Sequence, residues 1–229
     1  MLVIAHRGAS SAFPENTAAA FVGAVEQGAD GAELDVRRSA DGRMAISHDE
    51  ALADGTVVVA TRFVDLPGDV LDLAGALDVC QPLDLVNIEI KNWPDDGDFD
   101  DTEQLAAGVV QLLEARGEIT GHRNLISSFH LPTIDRVHEL APTLPTGWLL
   151  GMVDDPGRLL AKAAERGHAA VHPHHAFVDE HLVAAAHRMG LAVNTWTCDD
   201  PDRIRWLADL GVDGLVTNVP DIALAALGR

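Results

Sequence analysis

Short apolar runs alternate with longer segments of helical periodicity along the chain. Runs rich in Val, Ile and Leu predict strands over residues 2–6, 31–36, 85–91, 124–129, 146–150, 169–172, 192–197 and 214–217. The intervening periodic segments predict helices over 16–27, 70–79, 102–115, 131–140, 156–165, 178–188, 201–209 and 220–227. Each strand is followed by a helix, and such alternation implies a parallel sheet with helical crossovers. The eight units point to an α/β fold closed as a (β/α)8 barrel; a doubly wound open sheet is the alternative, since alternation alone does not establish closure. One extra strand-like run, 43–48, follows the turn signal Asp41-Gly42 and predicts a short β-hairpin after the second strand, at the top of the barrel. No linker or repeat interrupts the 229 residues, so a single domain over 1–229 is expected.

Strands of a parallel barrel normally read as unbroken apolar runs. Here the polar exceptions gather at the carboxyl ends of strands, where barrel active sites lie. The first strand ends in His6-Arg7-Gly8, the second carries Glu33-Leu34-Asp35, the third carries Glu89-Ile90-Lys91, and the hairpin ends in His48-Asp49. Alternation along a strand turns Glu33 and Asp35 to one side. Buried carboxylates are costly to ionise without compensation. An ion-pair network with Arg7, Arg37 and Lys91 is one way to supply it; a divalent cation is the other. Three carboxylates converging with two histidines at strand ends favour a site. Glu33, Asp35 and Glu89 form an all-oxygen set for one hard divalent cation, Mg²⁺ or Ca²⁺, and nothing offers the nitrogen- or sulfur-rich set that selects zinc.

These residues also resemble a family. Ile4-Ala5-His6-Arg7-Gly8-Ala9, Pro14-Glu15-Asn16-Thr17, Gly31-Ala32-Glu33-Leu34-Asp35-Val36, Asp41-Gly42 and Ser47-His48-Asp49 look like the amino-terminal half of a glycerophosphodiester phosphodiesterase, in spacing as well as in letters. Asn87-Ile88-Glu89-Ile90-Lys91, Ser127-Ser128-Phe129, Thr195-Trp196-Thr197, and Gly211-Val212-Asp213-Gly214 with Thr217-Asn218-Val219-Pro220 resemble its later strands. The resemblance implies a TIM barrel in which His6 and His48 are catalytic and Glu33, Asp35 and Glu89 ligate the metal. It makes Arg7 and Lys91 phosphate-binding residues, with Phe129 and Trp196 on the glycerol side. Two departures stand out. Residues 50–68 lack the expected Thr- and Gly-rich pattern and are too few for a lid-like insertion, and Asp199 stands where Asn is more usual.

The residue types suit the chemistry. Hydrolysis of a phosphodiester builds negative charge on phosphoryl oxygens, which a cation, Arg7 and Lys91 would offset. Imidazoles titrate near neutrality, so His6 and His48 can take a proton from the attacking oxygen and return one to the leaving oxygen. The sequence leaves open which does which, and whether water or a glycerol hydroxyl attacks. Competing readings are a lysophospholipase D-like enzyme acting on lipids and a non-catalytic phosphodiester-binding barrel.

A formal net charge of −20 argues against nucleic acid and anionic membrane surfaces as partners and is compatible with a small glycerophosphodiester. The first residues run straight into a motif without a secretory pattern, and no apolar stretch approaches the ~20 residues of a membrane span. A cytoplasmic monomer or homodimer without stable membrane association is expected. Cys80 and Cys198 read as reduced core thiols. Other features are discounted. His172-Pro173-His174-His175 reads as a loop rather than a second metal site, with His172 the one ring expected to line the pocket. Asn16 is expected to cap the first helix, with a second role near the phosphate as the lesser alternative. The acidic run 95–101 reads as solvated loop. His122, His130, His138, His168, His181 and His187 need only surface or packing roles, and Trp93, Trp148 and Trp206 are expected in the core or between helices.

Overall fold

A computed structural model of the chain describes residues 1–121 and 123–229; His122 lies outside the described residues. Among the described residues nine strands form one sheet. They are β1 (Leu2–His6), β2 (Gly31–Arg38), β3 (Met44–Ile46), β4 (Leu85–Ile90), β5 (Asn124–Ser128), β6 (Thr146–Leu150), β7 (Ala170–Pro173), β8 (Ala192–Thr195) and β9 (Gly214–Thr217). The helices are α1 (Ala18–Glu26), α2 (Leu73–Val79), α3 (Gln104–Ala115), α4 (Leu131–Leu140), α5 (Pro156–Glu165), α6 (Glu180–Arg188), α7 (Pro201–Asp209) and α8 (Pro220–Ala226). The order β1-β9-β8-β7-β6-β5-β4-β2, all parallel, closes through pairing of β1 with β2. The open-sheet alternative is therefore excluded. The predicted hairpin is present: β3 runs antiparallel to the end of β2, with Arg38 opposite Met44.

Alternation along the strands sorts side chains into two compartments. Ala32, Leu34 and Val36 of β2 and Val86, Ile88 and Ile90 of β4 face outward, where Leu73 and Leu77 of α2 and Leu105 and Val109 of α3 cover them. A fully buried Leu or Ile in such a layer contributes roughly 1.5–3 kcal/mol. A second cluster, with Leu160, Val171, Val183, Val193, Leu207 and Leu215, closes the opposite side of the barrel. The intervening residues, Glu33, Asp35, Asn87 and Glu89, face the barrel interior. The strand ends that broke the apolar pattern are thus apolar toward the helices and polar toward the axis.

Helix boundaries follow local chemistry. Asp72, Asp155, Asp179 and Asp200 cap α2, α5, α6 and α7 through their carboxylates. The cap of α1 is Thr17, whose hydroxyl accepts from the Ala20 amide, rather than the expected Asn16. Asn16 adopts φ 60°, and its side chain turns into the barrel. No helix is long and apolar enough to cross a membrane among the described residues.

Candidate active site

Sheet register brings the site together. His6 of β1 lies beside Glu33 of β2, and Asp35 lies beside Glu89 of β4. Lateral neighbours in a parallel ladder share a face, so these four side chains enter one space. One oxygen each of Glu33, Asp35 and Glu89 lie within 4.8 Å of one another. All three carboxylates are buried. The adjoining cavity of ≈ 230 Å³ is also lined by His6, His48 and Lys91. Arg7, Phe129, His172 and Trp196 lie on the same walls; of the sequence-derived set, Asp35 is not a lining residue.

The turn after β1 needs special backbone. Arg7 adopts φ 56° and Gly8 φ 81°. A Cβ on Gly8 would come within 2.5–2.7 Å of Ala20 in α1, so only glycine fits. This turn aims the Arg7 amide at Glu33 Oε2, 2.9 Å away. The Arg7 guanidinium donates to both oxygens of Glu15 at 2.9 Å, and its Nε lies 3.2 Å from Asp35 Oδ2. Lys91 Nζ donates to Glu89 Oε1 at 2.8 Å and stands 3.7 Å from Asp35 Oδ1. Asn16 Nδ2 donates to Asp35 Oδ2 at 2.9 Å.

Arg7 and Lys91 therefore meet part of the ion-pair expectation, but Arg37 does not join them. Its guanidinium donates to Asp98 at 2.6 Å and Asp96 at 3.1 Å, while its Nε donates to the His48 carbonyl at 2.8 Å. This corrects the reading of 95–101 as a solvated loop at Asp98 and Asp100, while Asp95, Gly97 and Asp101 are exposed as expected. Asp98 is a buried counter-ion, and Asp100 accepts from Thr102 and Gln104 at the start of α3. The loop thereby braces the His48 backbone through Arg37. A second acidic group, Glu50, Asp96 and Asp98, has Arg37 paired with two of its members.

The carboxylate cluster remains under-compensated. Burial, with Asp35 and Glu89 beside it, pushes the Glu33 carboxyl well above its usual range. Burial raises Glu89 as well, against the opposing pull of Lys91. Burial alone would lower the Lys91 ammonium, but Glu89 and Asp35 outweigh it and raise the group. Glu33 Oε1 and Asp35 Oδ1 are buried without a hydrogen-bond partner. Unpartnered carboxylate oxygens and an all-oxygen donor set fit a hard divalent cation.

The imidazoles differ in setting. Burial, reinforced by Arg7, lowers the basicity of His6, while a hydrogen bond between its Nδ1 and Asn218 Oδ1 at 2.7 Å opposes that shift. Its Nε2 lies 4.0 Å from Glu33 Oε2. His48 sits nearer solvent, with Nδ1 2.7 Å from Asp49 Oδ1. His172 is wholly buried, and burial takes it down to about 3. Its Nε2 meets Asn194 Nδ2 at 3.0 Å, and its carbonyl accepts from Trp196 Nε1 at 2.7 Å. Trp196 meets Phe129 edge-on at 5.3 Å between ring centres. The other rings of the histidine run, His174 and His175, lie 4.6 Å apart, and His174 packs edge-on against Trp196.

The sequence profile of the glycerophosphoryl diester phosphodiesterase family matches residues 6–72 and 61–222. A glycerophosphodiester phosphodiesterase of Caldanaerobacter subterraneus subsp. tengcongensis is 32% identical over 248 residues, covering 96% of this chain and 95% of the relative. The chain belongs to the glycerophosphoryl diester phosphodiesterase family. A Bacillus altitudinis glycerophosphodiester phosphodiesterase is 30% identical, covering 97% of this chain and 96% of the relative. The structure of an Oleispira antarctica phosphodiesterase in complex with the product sn-glycerol-3-phosphate matches the fold with TM-score 0.89 at 25% identity, covering 100% of this chain and 97% of that one. As a member of this family the chain is a phosphoric diester hydrolase.

Several site neighbours escaped sequence reasoning. Glu15 and Asn16 lie in a loop whose approach to β2 only the tertiary fold sets, although their place in the Pro14-Glu15-Asn16-Thr17 motif was a signal. Asn87 stands two residues before Glu89 on the same face and enters the cavity. Trp93 is not in the core. It is 46% exposed and lines an adjoining cavity of ≈ 590 Å³ that shares His48, Glu89, Lys91 and Phe129 with the first. Trp206 is also exposed, with the Arg203 guanidinium 3.9 Å from its ring centre.

Proposed function

We propose that this chain hydrolyses glycerophosphodiesters to an alcohol and sn-glycerol-3-phosphate, with one divalent cation bound by Glu33, Asp35 and Glu89 and with His6 and His48 as the proton-transfer pair. The observation that carries this reading is the meeting of three buried carboxylates, two of which, Glu33 and Glu89, line a cavity that both imidazoles also line.

The bound cation would supply positive charge for the phosphoryl oxygens. Arg7 and Lys91 add fixed positive charge from the protein, and the guanidinium fork, held by Glu15, orients the phosphate. One imidazole accepts the proton of the attacking oxygen, water or a glycerol hydroxyl, as the new O–P bond forms. The other gives its proton to the alcohol oxygen as the old P–O bond breaks. If glycerol attacks, the cyclic phosphate is then opened by water with the two roles exchanged. Phe129 and Trp196 offer an apolar wall to the glycerol carbons, and buried His172 supports Trp196 from below. All 229 residues serve this activity as one domain in this reading.

The test is a coupled assay for glycerol-3-phosphate over glycerophosphodiesters with choline, ethanolamine, glycerol and inositol head groups. Release should need Mg²⁺ or Ca²⁺ and stop with EDTA. Release indifferent to chelator removes the cation from the mechanism, and no release from any diester removes the activity.

A further inference from the structure

Behind His6 lies a short hydrogen-bonded chain whose polarity can be read atom by atom. Asp199 follows β8 and Asn218 follows β9, so adjacent strands deliver both to the barrel mouth. Asp199 Oδ1 accepts from the Thr217 hydroxyl and from the Asn218 amide, both at 2.8 Å. Asp199 Oδ2 accepts from Asn218 Nδ2 at 2.7 Å. The far end of Asn218, Oδ1, faces His6 Nδ1 at 2.7 Å and the Ser10 hydroxyl at 3.0 Å.

A carboxylate has no hydrogen to give, so the atom of Asn218 that faces Asp199 must be its NH₂ group. The amide oxygen is thereby turned toward His6. That oxygen also has no hydrogen, so the short contact requires the proton to sit on His6 Nδ1. The Ser10 hydroxyl rotates to donate or accept and imposes no direction. His6 Nε2 is left with its lone pair, on the side of the ring nearer Glu33.

We propose that Asp199 is a positioning residue that, through the amide of Asn218, fixes His6 in the Nδ1–H tautomer and reserves Nε2 for proton exchange with the substrate. The proposal deepens the function given above, since it rests on His6 being a proton-transfer residue. It gives the departure at position 199 a physical role. A carboxylate there sets one direction of the relay, whereas an amide anchored by the same two donors would reverse it.

The test is long-range ¹H–¹⁵N NMR of the histidine rings in the full chain at about pH 8, where a free imidazole is neutral, with kcat and KM for glycerophosphocholine measured in parallel. The wild type should give His6 as Nδ1–H. In D199N the new amide keeps its oxygen on Thr217 and on the backbone of residue 218, and turns its NH₂ toward Asn218. Asn218 must then reverse, and its NH₂ meets His6 Nδ1. His6 should switch to Nε2–H, and kcat should fall about 10–100-fold with KM within about threefold. The double variant D199N/N218D restores the pattern, because the amide donates to a carboxylate that accepts from Nδ1–H. It should return both tautomer and kcat to near wild type.

Nε2–H in the wild type overturns the proposal without any variant, so a variant that fails to fold leaves it falsifiable. A D199N protein with unchanged tautomer and kcat overturns it as well, and so does a switched tautomer with undiminished kcat. The tautomer is read without turnover, so its failure is distinguishable from failure of the hydrolase reading, which the glycerol-3-phosphate assay reports.

Discussion

Asn16 and Asp35 hold each other by two hydrogen bonds: Asn16 Nδ2 donates to Asp35 Oδ2 at 2.9 Å, and the Asp35 amide donates back to Asn16 Oδ1 at 3.3 Å. The pair fixes one carboxylate oxygen and leaves the other, Oδ1, without a hydrogen bond. Substituting Asn16 by Gly keeps the positive φ and removes only the side chain. The N16G variant should bind Mg²⁺ about 10–100-fold more weakly, as loss of an outer partner of a ligand typically does. Isothermal titration with Mg²⁺ reads this directly, and unaltered affinity would mean that Arg7 alone orients Asp35.

Replacing His6 or His48 by Ala should lower kcat by about 10²–10⁴ without loss of the folded state. Steady-state kinetics beside a thermal melt separates chemistry from stability. Near wild-type turnover in either variant would take that ring out of the proton transfers.

The carboxylate cluster makes the cation-free protein sensitive to pH. Glu33 is raised by burial and by its acidic neighbours, so the native state holds its proton to higher pH than the unfolded chain does. Native protein then binds more protons, and stability falls as pH rises from about 4.3, the unfolded value, through the raised native one. In E33Q this loss should vanish. In EDTA at neutral pH that variant should melt higher than wild type while having lost activity, a trade seen where sites hold destabilising charge. Saturating Mg²⁺ should reverse the order of the two melting temperatures.

His172 has the opposite sign. Burial holds it down to about 3, so below about 6.5 the unfolded chain binds a proton that the native ring refuses. The stability present above that pH is lost as pH falls toward 3, at about 1.4 kcal/mol per pH unit at most. Urea unfolding at two acidic pH values should show a shallower loss for H172Q than for wild type. Equal slopes would mean that the ring is protonated in the native state.

Packing makes a further demand at this ring. A Cβ on Gly147 would overlap the His172 imidazole. The G147A substitution should therefore destabilise the chain by about 1–3 kcal/mol, the usual range for overpacking a full interior. Chemical denaturation measures it, and a neutral result would show that the ring can move aside.

The sequence-based boundaries of β1, β6 and β9 and of α4, α5 and α7 agree with the structure, because dense apolar runs flanked by turns or by Pro at the helix start leave little freedom. The acid pairs were legible for a related reason: alternation of two along a strand is a local rule, and Glu33-Leu34-Asp35 interrupts an apolar run with two charges on one face. The errors lie where a polar side chain had two possible partners. Asn16 could cap a helix or reach Asp35. Arg37 could join the site acids or the acidic loop sixty residues on. Trp93 could enter the core or line a cleft. Periodicity carries no information about such choices, since each depends on a residue distant in sequence.

The sequence by itself determined the alternating units, the hairpin and the polar strand ends proposed to carry the chemistry, because each follows from local periodicity or residue type. Closure of the barrel, the register that sets His6 beside Glu33 and Asp35 beside Glu89, and the course of the Asp199–Asn218–His6 chain were decided by the tertiary structure alone. The reason is geometric: hydrogen bonds between strands and between side chains span angstroms, and only the folded chain brings residues 6, 199 and 218 within that range.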